Sequence, residues 1–348
     1  MLRLSDNIYN QRLSREEPKF RLWRSAGLML TYQCSSSCRF CYYNCSMNPS
    51  PLMSVETAIG SWQSLKKIAG QTASVHITGG EPFLHWSQLE SIVRAAKAEK
   101  LGFVEQIETN ASWATDRKIV QERLRVLDEC GMKCLKVSCD PFHQEYVDIK
   151  RVRLLAAAAE QVLGQHRILV RWQKYLENPL ETAGLSAAQR DECHKQSLRE
   201  YPCRFTGRAA ESLADLMADK TVEELAGKTC GKSFLRAKGV HIDPLGNVFS
   251  GVCSGIILGN VGAEPLEQIW RQFNWPNREL IGIFFACGPA GLLEKAINSG
   301  YIKRRYYASG CHLCASIRRF FFDKGLFKHI IGPSYCYPDL AGQDRKET

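Results

Sequence analysis

The sequence predicts an α/β protein, with βα units around a parallel sheet followed by a smaller cysteine-rich α+β region. Three observations carry this. From Gly27 onward, short apolar runs alternate with helical patterns. Near Gly227 that rhythm gives way to a hairpin pattern. Cysteines gather in two places, one early and one late. The expected organisation is a lead-in over 1–26, a core over 27–226, an auxiliary region over 227–340 and a fraying tail over 341–348.

Residues 1–26 read as polar and without periodicity. Leu28 to Tyr32 is the first expected strand. Ser54 caps a helix whose Val55, Ile59, Trp62 and Leu65 share one face. Val75 to Thr78 is the second strand. Ser87 and Glu90 suggest a capping box for a helix reaching Lys100. Val104 to Thr109 is the third strand, and a helix opens at Thr115 and stops at Gly131. Cys134 to Ser138, a helix over Tyr146 to Leu163 and Ile168 to Trp172 continue the pattern. Ser186 to Gln196 is helical, and a sixth strand is expected near Tyr201 to Thr206. Val240 to Phe249 then forms a hairpin through Pro244-Leu245-Gly246-Asn247. No internal repeat or low-complexity tract interrupts this order.

Composition narrows the functional classes. The 348 residues are 45% hydrophobic and 24% charged, ordinary values for a soluble globular protein. No run is apolar enough for a membrane span, and Met1 to Lys19 lacks the apolar stretch of a secretory signal. A cytoplasmic protein without membrane partners is expected. Fifteen cysteines, an odd number in tight clusters, point to metal ligation in a reducing compartment. The formal charge of +10 allows a basic surface, an acidic redox partner or nucleic acid.

The first chemical motif is Cys34-Ser-Ser-Ser-Cys38-Arg-Phe-Cys41, directly after a strand. Three thiolates can hold three irons of a [4Fe–4S] cluster and leave the fourth open; a zinc site is the alternative. The second is Thr78-Gly79-Gly80-Glu81-Pro82-Phe83 at the end of the second strand. Its glycines permit a close backbone approach, and Glu81 can accept from an ammonium group.

Together these resemble the radical S-adenosylmethionine (SAM) superfamily. Cys34, Cys38 and Cys41, with Phe40 before the last, resemble its C-x3-C-x-aromatic-C signature. Gly79, Gly80, Glu81 and Pro82 resemble its GGEP motif, which holds the SAM amino group. The resemblance covers about 24–210 and implies a partial (β/α)6 TIM-like barrel, a SAM-binding [4Fe–4S] cluster and SAM. It further implies reductive cleavage of SAM to a 5′-deoxyadenosyl radical that abstracts substrate hydrogen. Phe40 would pack near the adenine. Thr109, Asn110, Ser138 and Asp140 stand where family members touch the methionine or ribose. His143 and Glu145 follow in the same loop. Cys139 is a candidate to return a hydrogen atom to a substrate radical.

The late cysteines are Cys230, Cys253, Cys311, Cys314 and Cys336. With the hairpin, Leu258 to Val261 and the helix start at Pro265, they resemble the SPASM and twitch auxiliary domains. No cysteine lies between Ala315 and Lys324, so the shorter, one-cluster twitch form fits better. The resemblance assigns Cys230, Cys253, Cys311 and Cys314 to a second, auxiliary [4Fe–4S] cluster, with Cys336 as a substitute. A structural zinc site is the competing reading. Cys130, Cys134, Cys193, Cys203 and Cys287 read as packing residues.

Lys303 to Arg305, Arg318, Arg319, Lys324 and Lys328 flank these cysteines and suggest docking of an acidic flavodoxin or ferredoxin reductant. The expected function is a radical SAM oxidoreductase acting on a small molecule or peptide. An RNA-modifying enzyme is the second reading, opposed by the lack of an interleaved aromatic stacking surface. A non-catalytic zinc or iron–sulfur module is the third, opposed by the Gly-Gly-Glu-Pro turn.

Overall fold

A computed structural model describes residues 1–337 apart from positions 183 and 252; the expected tail over 341–348 lies outside the described residues. One eight-stranded sheet organises the chain. Its strands are β1 (Ser25–Met29), β2 (Ser74–Thr78), β3 (Val104–Thr109), β4 (Leu135–Ser138), β5 (Ile168–Arg171), β6 (Gly239–Ile242), β7 (Asn247–Ser250) and β8 (Ile257–Asn260). They lie in the order β5-β4-β3-β2-β1-β6-β7-β8. β1 to β6 run parallel, and β7 and β8 add an antiparallel meander. The sheet keeps two edges, β5 and β8, as a partial barrel does.

Strand alternation separates two faces. Val75, Ile77, Ile107, Leu135 and Val137 are buried in the core with helix residues such as Leu65, Leu89, Leu124 and Leu155. Gly27, His76, Gln106, Glu108 and Lys136 occupy the opposite, polar face, which lines the lumen. Local chemistry sets the helix starts. Ser54 accepts from Thr57 N at 3.0 Å ahead of Val55–Ala69. Asp148 accepts from Lys150 N at 2.8 Å ahead of Ile149–Leu163. Ser186 and Gln189 close a capping box on Ala187–Glu200.

Three expectations are corrected. The sixth parallel strand is Gly239–Ile242 beside β1; residues 201–206 form none, because the chain there crosses toward the cysteine loop. The Trp86–Ala98 helix begins before Ser87, since a tight turn from Pro82 runs straight into it, and Glu90 bonds Arg94 instead of capping. Asp116, not Thr115, caps Arg117–Glu129, accepting from Lys118 N and Ile119 N. The lead-in packs against the rest of the fold. Asn7 donates to Trp270 O at 2.5 Å, and Phe20 stacks on Trp270 at 6.1 Å, so the N-terminal segment clasps the Leu266–Gln272 helix.

Candidate active site

The early cysteines lie on one loop that leaves β1 at its C-terminal end. Cys34 and Cys38 are buried and Cys41 partly so. Burial pushes the Cys34 thiol up to about 12, and burial raises Cys38 as well. A hydrogen bond from the Cys45 thiol lowers Cys41 to about 6. The sequence reading left Cys45 without a role.

Arg208 holds this loop in shape. Its guanidinium donates to Cys38 O at 3.1 Å, Cys45 O at 2.7 Å and Asn44 Oδ1 at 2.8 Å. Its own N–H reaches Tyr43 O at 2.7 Å. The preceding Gly207 has φ +56°, and a Cβ there would lie 2.0 Å from Tyr43 O. Sequence reasoning missed both residues; a glycine–arginine pair about 170 positions from the cysteines carries no local signal.

The Gly-Gly-Glu-Pro turn abuts the same loop. Gly80 N and Glu81 N donate to Thr31 O and Gln33 O at 2.7 and 2.9 Å. A Cβ on Gly80 would sit 1.9 Å from Gln33 O, so this approach demands glycine. Glu81 is fully buried, and burial lifts its pKa to about 7. Its carboxylate accepts from Phe83 N, Thr109 Oγ1 and Asn110 N at 3.1, 2.9 and 2.6 Å. Asn110 Nδ2 reaches the Cys34 sulfur at 3.5 Å and the Ser35 hydroxyl at 3.1 Å. Thr109 and Asn110 thus tie the turn to the cysteine loop.

Phe40 is buried in an aromatic group. It stacks on Phe142 at 5.0 Å and meets Trp172 edge-on at 5.2 Å, with Arg171 5.6 Å above its ring. Asp140 is fully buried and caps Pro141–Gln144, accepting from His143 N at 3.0 Å and His143 Nδ1 at 2.7 Å. Burial opposes ionisation of Asp140, but His143 outweighs it and holds the carboxyl low. Ser138 pairs with Arg171 in the β4–β5 register and is partly exposed. Glu145 lies 3.1 Å from buried His194. Cys139 is fully buried within the apolar core, where Gln144 donates to it at 3.8 Å. Strand alternation turns it away from the lumen, opposite to the expectation.

The lumen itself is polar. Glu108 accepts from Lys136 at 2.9 Å, Gln106 at 2.9 Å and Thr78 at 3.0 Å. Below this group, His76 and His241 meet Nε2 to Nε2 at 3.2 Å. They cross over Gly27, where a Cβ would lie 2.0 Å from His241 Cδ2. His241 Nδ1 donates to Gly251 O at 2.5 Å, so its Nε2 accepts and His76 Nε2 donates. Burial holds both imidazoles neutral, His76 at about 4.

The late cysteines come together from three segments. Cys230, Cys253, Cys311 and Cys314 are near enough that charge on one raises others. Burial pushes Cys230 up to about 12 and Cys311 up to about 11. Buried Arg318 donates to the Cys314 sulfur at 3.3 Å and to Ser254 O at 2.7 Å. Cys336 lies instead against Tyr32, 3.7 Å from its hydroxyl. Among the described residues, no three Cys, His, Asp or Glu side chains converge closely enough for a single metal ion. Cys287 is exposed, not packed.

The expected basic face is largely dismantled. Arg318 is buried. Lys303, Arg304 and Arg319 pair with Glu223, Asp215 and Glu211, because acidic residues of neighbouring short helices lie against them.

No helix among the described residues is long and apolar enough to cross a membrane. Comparison with curated proteins finds no match. Among solved structures, the chain is similar to BtrN in complex with AdoMet and 2-DOIA, at 15% identity and TM-score 0.45, over 77% of this chain and 93% of that one. It is similar to native anSMEcpe with bound AdoMet and Cp18Cys peptide, at 15% and 0.44, over 86% and 97%. It is also similar to Streptococcus suis SuiB bound to S-adenosylmethionine, at 13% and 0.38, over 80% and 71%. At such identities the assignment rests on the sequence match and on the site. Residues 28–163, which hold the cysteine loop and the Gly-Gly-Glu-Pro turn, match the family model described as Radical SAM superfamily, and a chain that carries such a domain is an enzyme.

Proposed function

We propose that Cys34, Cys38 and Cys41 hold a [4Fe–4S] cluster that binds SAM, and that the enzyme modifies a small molecule or peptide in the barrel lumen. The observation that carries this is the joining of the cysteine loop to the Gly-Gly-Glu-Pro turn through Glu81, Thr109 and Asn110. The donor set suits such a cluster: thiols only, in a buried loop beside the Arg208 cation. The raised pKa values of Cys34 and Cys38 record a cost of ionisation that a bound cation removes. When bound, the cluster and SAM supply a 5′-deoxyadenosyl radical after one-electron reduction.

The protein's own residues do the rest. Phe40, Phe142 and Trp172 form an apolar shelf that excludes water from the side of the loop facing β5. Asn110 orients Cys34, and Arg208 fixes the spacing of the loop. Cys230, Cys253, Cys311 and Cys314 are proposed to hold a second cluster, with Arg318 offsetting its negative charge. An acidic flavodoxin or ferredoxin is the proposed reductant.

Anaerobic reconstitution with iron and sulfide tests this, with iron, zinc and 5′-deoxyadenosine measured on one sample. About eight irons per chain and 5′-deoxyadenosine formation are expected. About four irons plus one zinc would make the late site structural. No 5′-deoxyadenosine from a fully loaded, reduced enzyme, with the pool of candidate substrates present, would sink the reading.

A further inference from the structure

At the N-terminal ends of β1 and β6, away from the cysteine loop, a cavity of about 440 Å³ opens toward solvent. Its lining includes the His76–His241 pair, Cys253 and three cations, Arg204, Arg236 and Lys238, and no carboxylate. The three cations are exposed, and none is in an ion pair among the described residues. Arg204 bonds the Cys253 thiol. A second cavity of about 480 Å³ shares Lys238 and adds Arg21 and Arg24, again without an acidic side chain. Elsewhere several basic residues are answered by carboxylates, as at Lys67, Lys133, Lys174 and Arg304.

The inner wall is also specific. The two imidazoles reach each other only because Gly27 has no side chain. Close by, Tyr43 is nine-tenths buried with its ring 6.3 Å from that of His241, and its hydroxyl has no hydrogen-bond partner. A cationic mouth thus leads to a neutral wall, whose imidazole N–H groups are held by His241 Nε2 and by Gly251 O.

We propose that this basal cavity binds the anionic group of the substrate, a carboxylate or a phosphate. The inference rests on the radical SAM reading for the word substrate, and it names the substrate's chemical class. Arginine forks pair with planar or tetrahedral oxyanions through two parallel N–H bonds, and a lysine adds a point charge. Concavity favours a small anion or a single acidic side chain over a protein face. The lining offers no exposed aromatic ring for stacking nucleobases, since Phe234 is buried.

The test is calorimetric titration of the reconstituted full chain with inorganic phosphate, with succinate and with a short single-stranded RNA. Phosphate or succinate is expected to bind, and Arg204→Gln or the pair Arg236→Gln and Lys238→Gln to weaken that binding about tenfold or more. Lys97→Gln, which removes an exposed cation elsewhere, is expected to leave it unchanged. A preference between the two small anions separates the phosphate from the carboxylate source. Absence of binding by both overturns the proposal, as does binding that the Arg and Lys variants leave intact. Binding of RNA alone, or slowed reduction by flavodoxin without any small-anion binding, overturns it in favour of a macromolecular partner. Iron loading and 5′-deoxyadenosine formation by the unmodified chain are read separately, so failure of the functional reading is distinguishable from failure of the anion site.

Discussion

The two cysteine sites are built on opposite plans around the same device. Each has a buried arginine that pairs with no carboxylate among the described residues. At the early site all three thiols come from one loop, and Arg208 grips that loop by its carbonyls. At the late site the thiols arrive from three segments, and Arg318 donates to one of the sulfurs directly. In both, the arginine's charge opposes the rise in thiol pKa that burial imposes. A contiguous motif can be framed from outside, whereas a dispersed one needs a cation within it.

The largest expected effect separates the sites. Cys41→Ser should abolish 5′-deoxyadenosine formation and remove about half of the bound iron. Cys311→Ser should remove the other half and leave the early cluster's electron paramagnetic resonance signal in place. Equal loss of both signals in either variant would show that the two sites fold as one unit and would break the comparison.

Next in size is Gly80→Ala. Its Cβ would collide with the Gln33 carbonyl, a backbone group that cannot swing aside. A loss of about 3 kcal/mol or more in unfolding free energy is expected by denaturant titration. Gly60→Ala is the matched control, since open space surrounds that position and a helix favours alanine. A tolerant Gly80→Ala would mean that the turn and the cysteine loop are not rigidly joined.

The arginines sharpen the contrast further. Arg208→Met removes three hydrogen bonds, two of them to buried carbonyls, and should cost about 3 kcal/mol, with a change in the early cluster's signal. Arg318→Met should leave that signal alone and shift the proposed second cluster's potential, because it removes a donor to the Cys314 sulfur, a proposed ligand. If both variants perturb both signals alike, the framing roles assigned here are wrong.

Legibility in the sequence follows the same division. The cysteine loop, the Gly-Gly-Glu-Pro turn and strands β2, β3 and β4 are encoded by neighbours in the chain, and they were readable. Ser54 and Ser186 announced their helices for that reason. Arg208, the His76–His241 pair and the clasp of Asn7 and Phe20 on the Leu266–Gln272 helix depend on contacts between distant segments. Gly27 shows the limit most clearly. It read as the start of a strand pattern, but its function is to let two imidazoles pass. The sixth strand was misplaced because residues 201–206 carry apolar and aromatic side chains that serve the Phe40 cluster instead; Tyr201 stacks on Trp172 at 4.4 Å.

The smallest effect concerns the lumen, the ground between the two sites. His76 is held at about 4 against an ordinary 6.5, chiefly by burial. Its folded-state pKa is depressed, so the folded protein prefers the neutral imidazole. The resulting stability is fully present above pH 6.5 and is lost as pH falls toward 4. The contribution should be about 2 kcal/mol at pH 7, within the limit of roughly 1.4 kcal/mol per pKa unit. His76→Asn should therefore flatten the decline in unfolding free energy between pH 6.5 and 4, measured by denaturant titration at each pH. An unchanged slope would place the acid-sensitive group elsewhere. A flattened one, with iron content intact, would show that the lumen's imidazole pair is poised independently of either cysteine site.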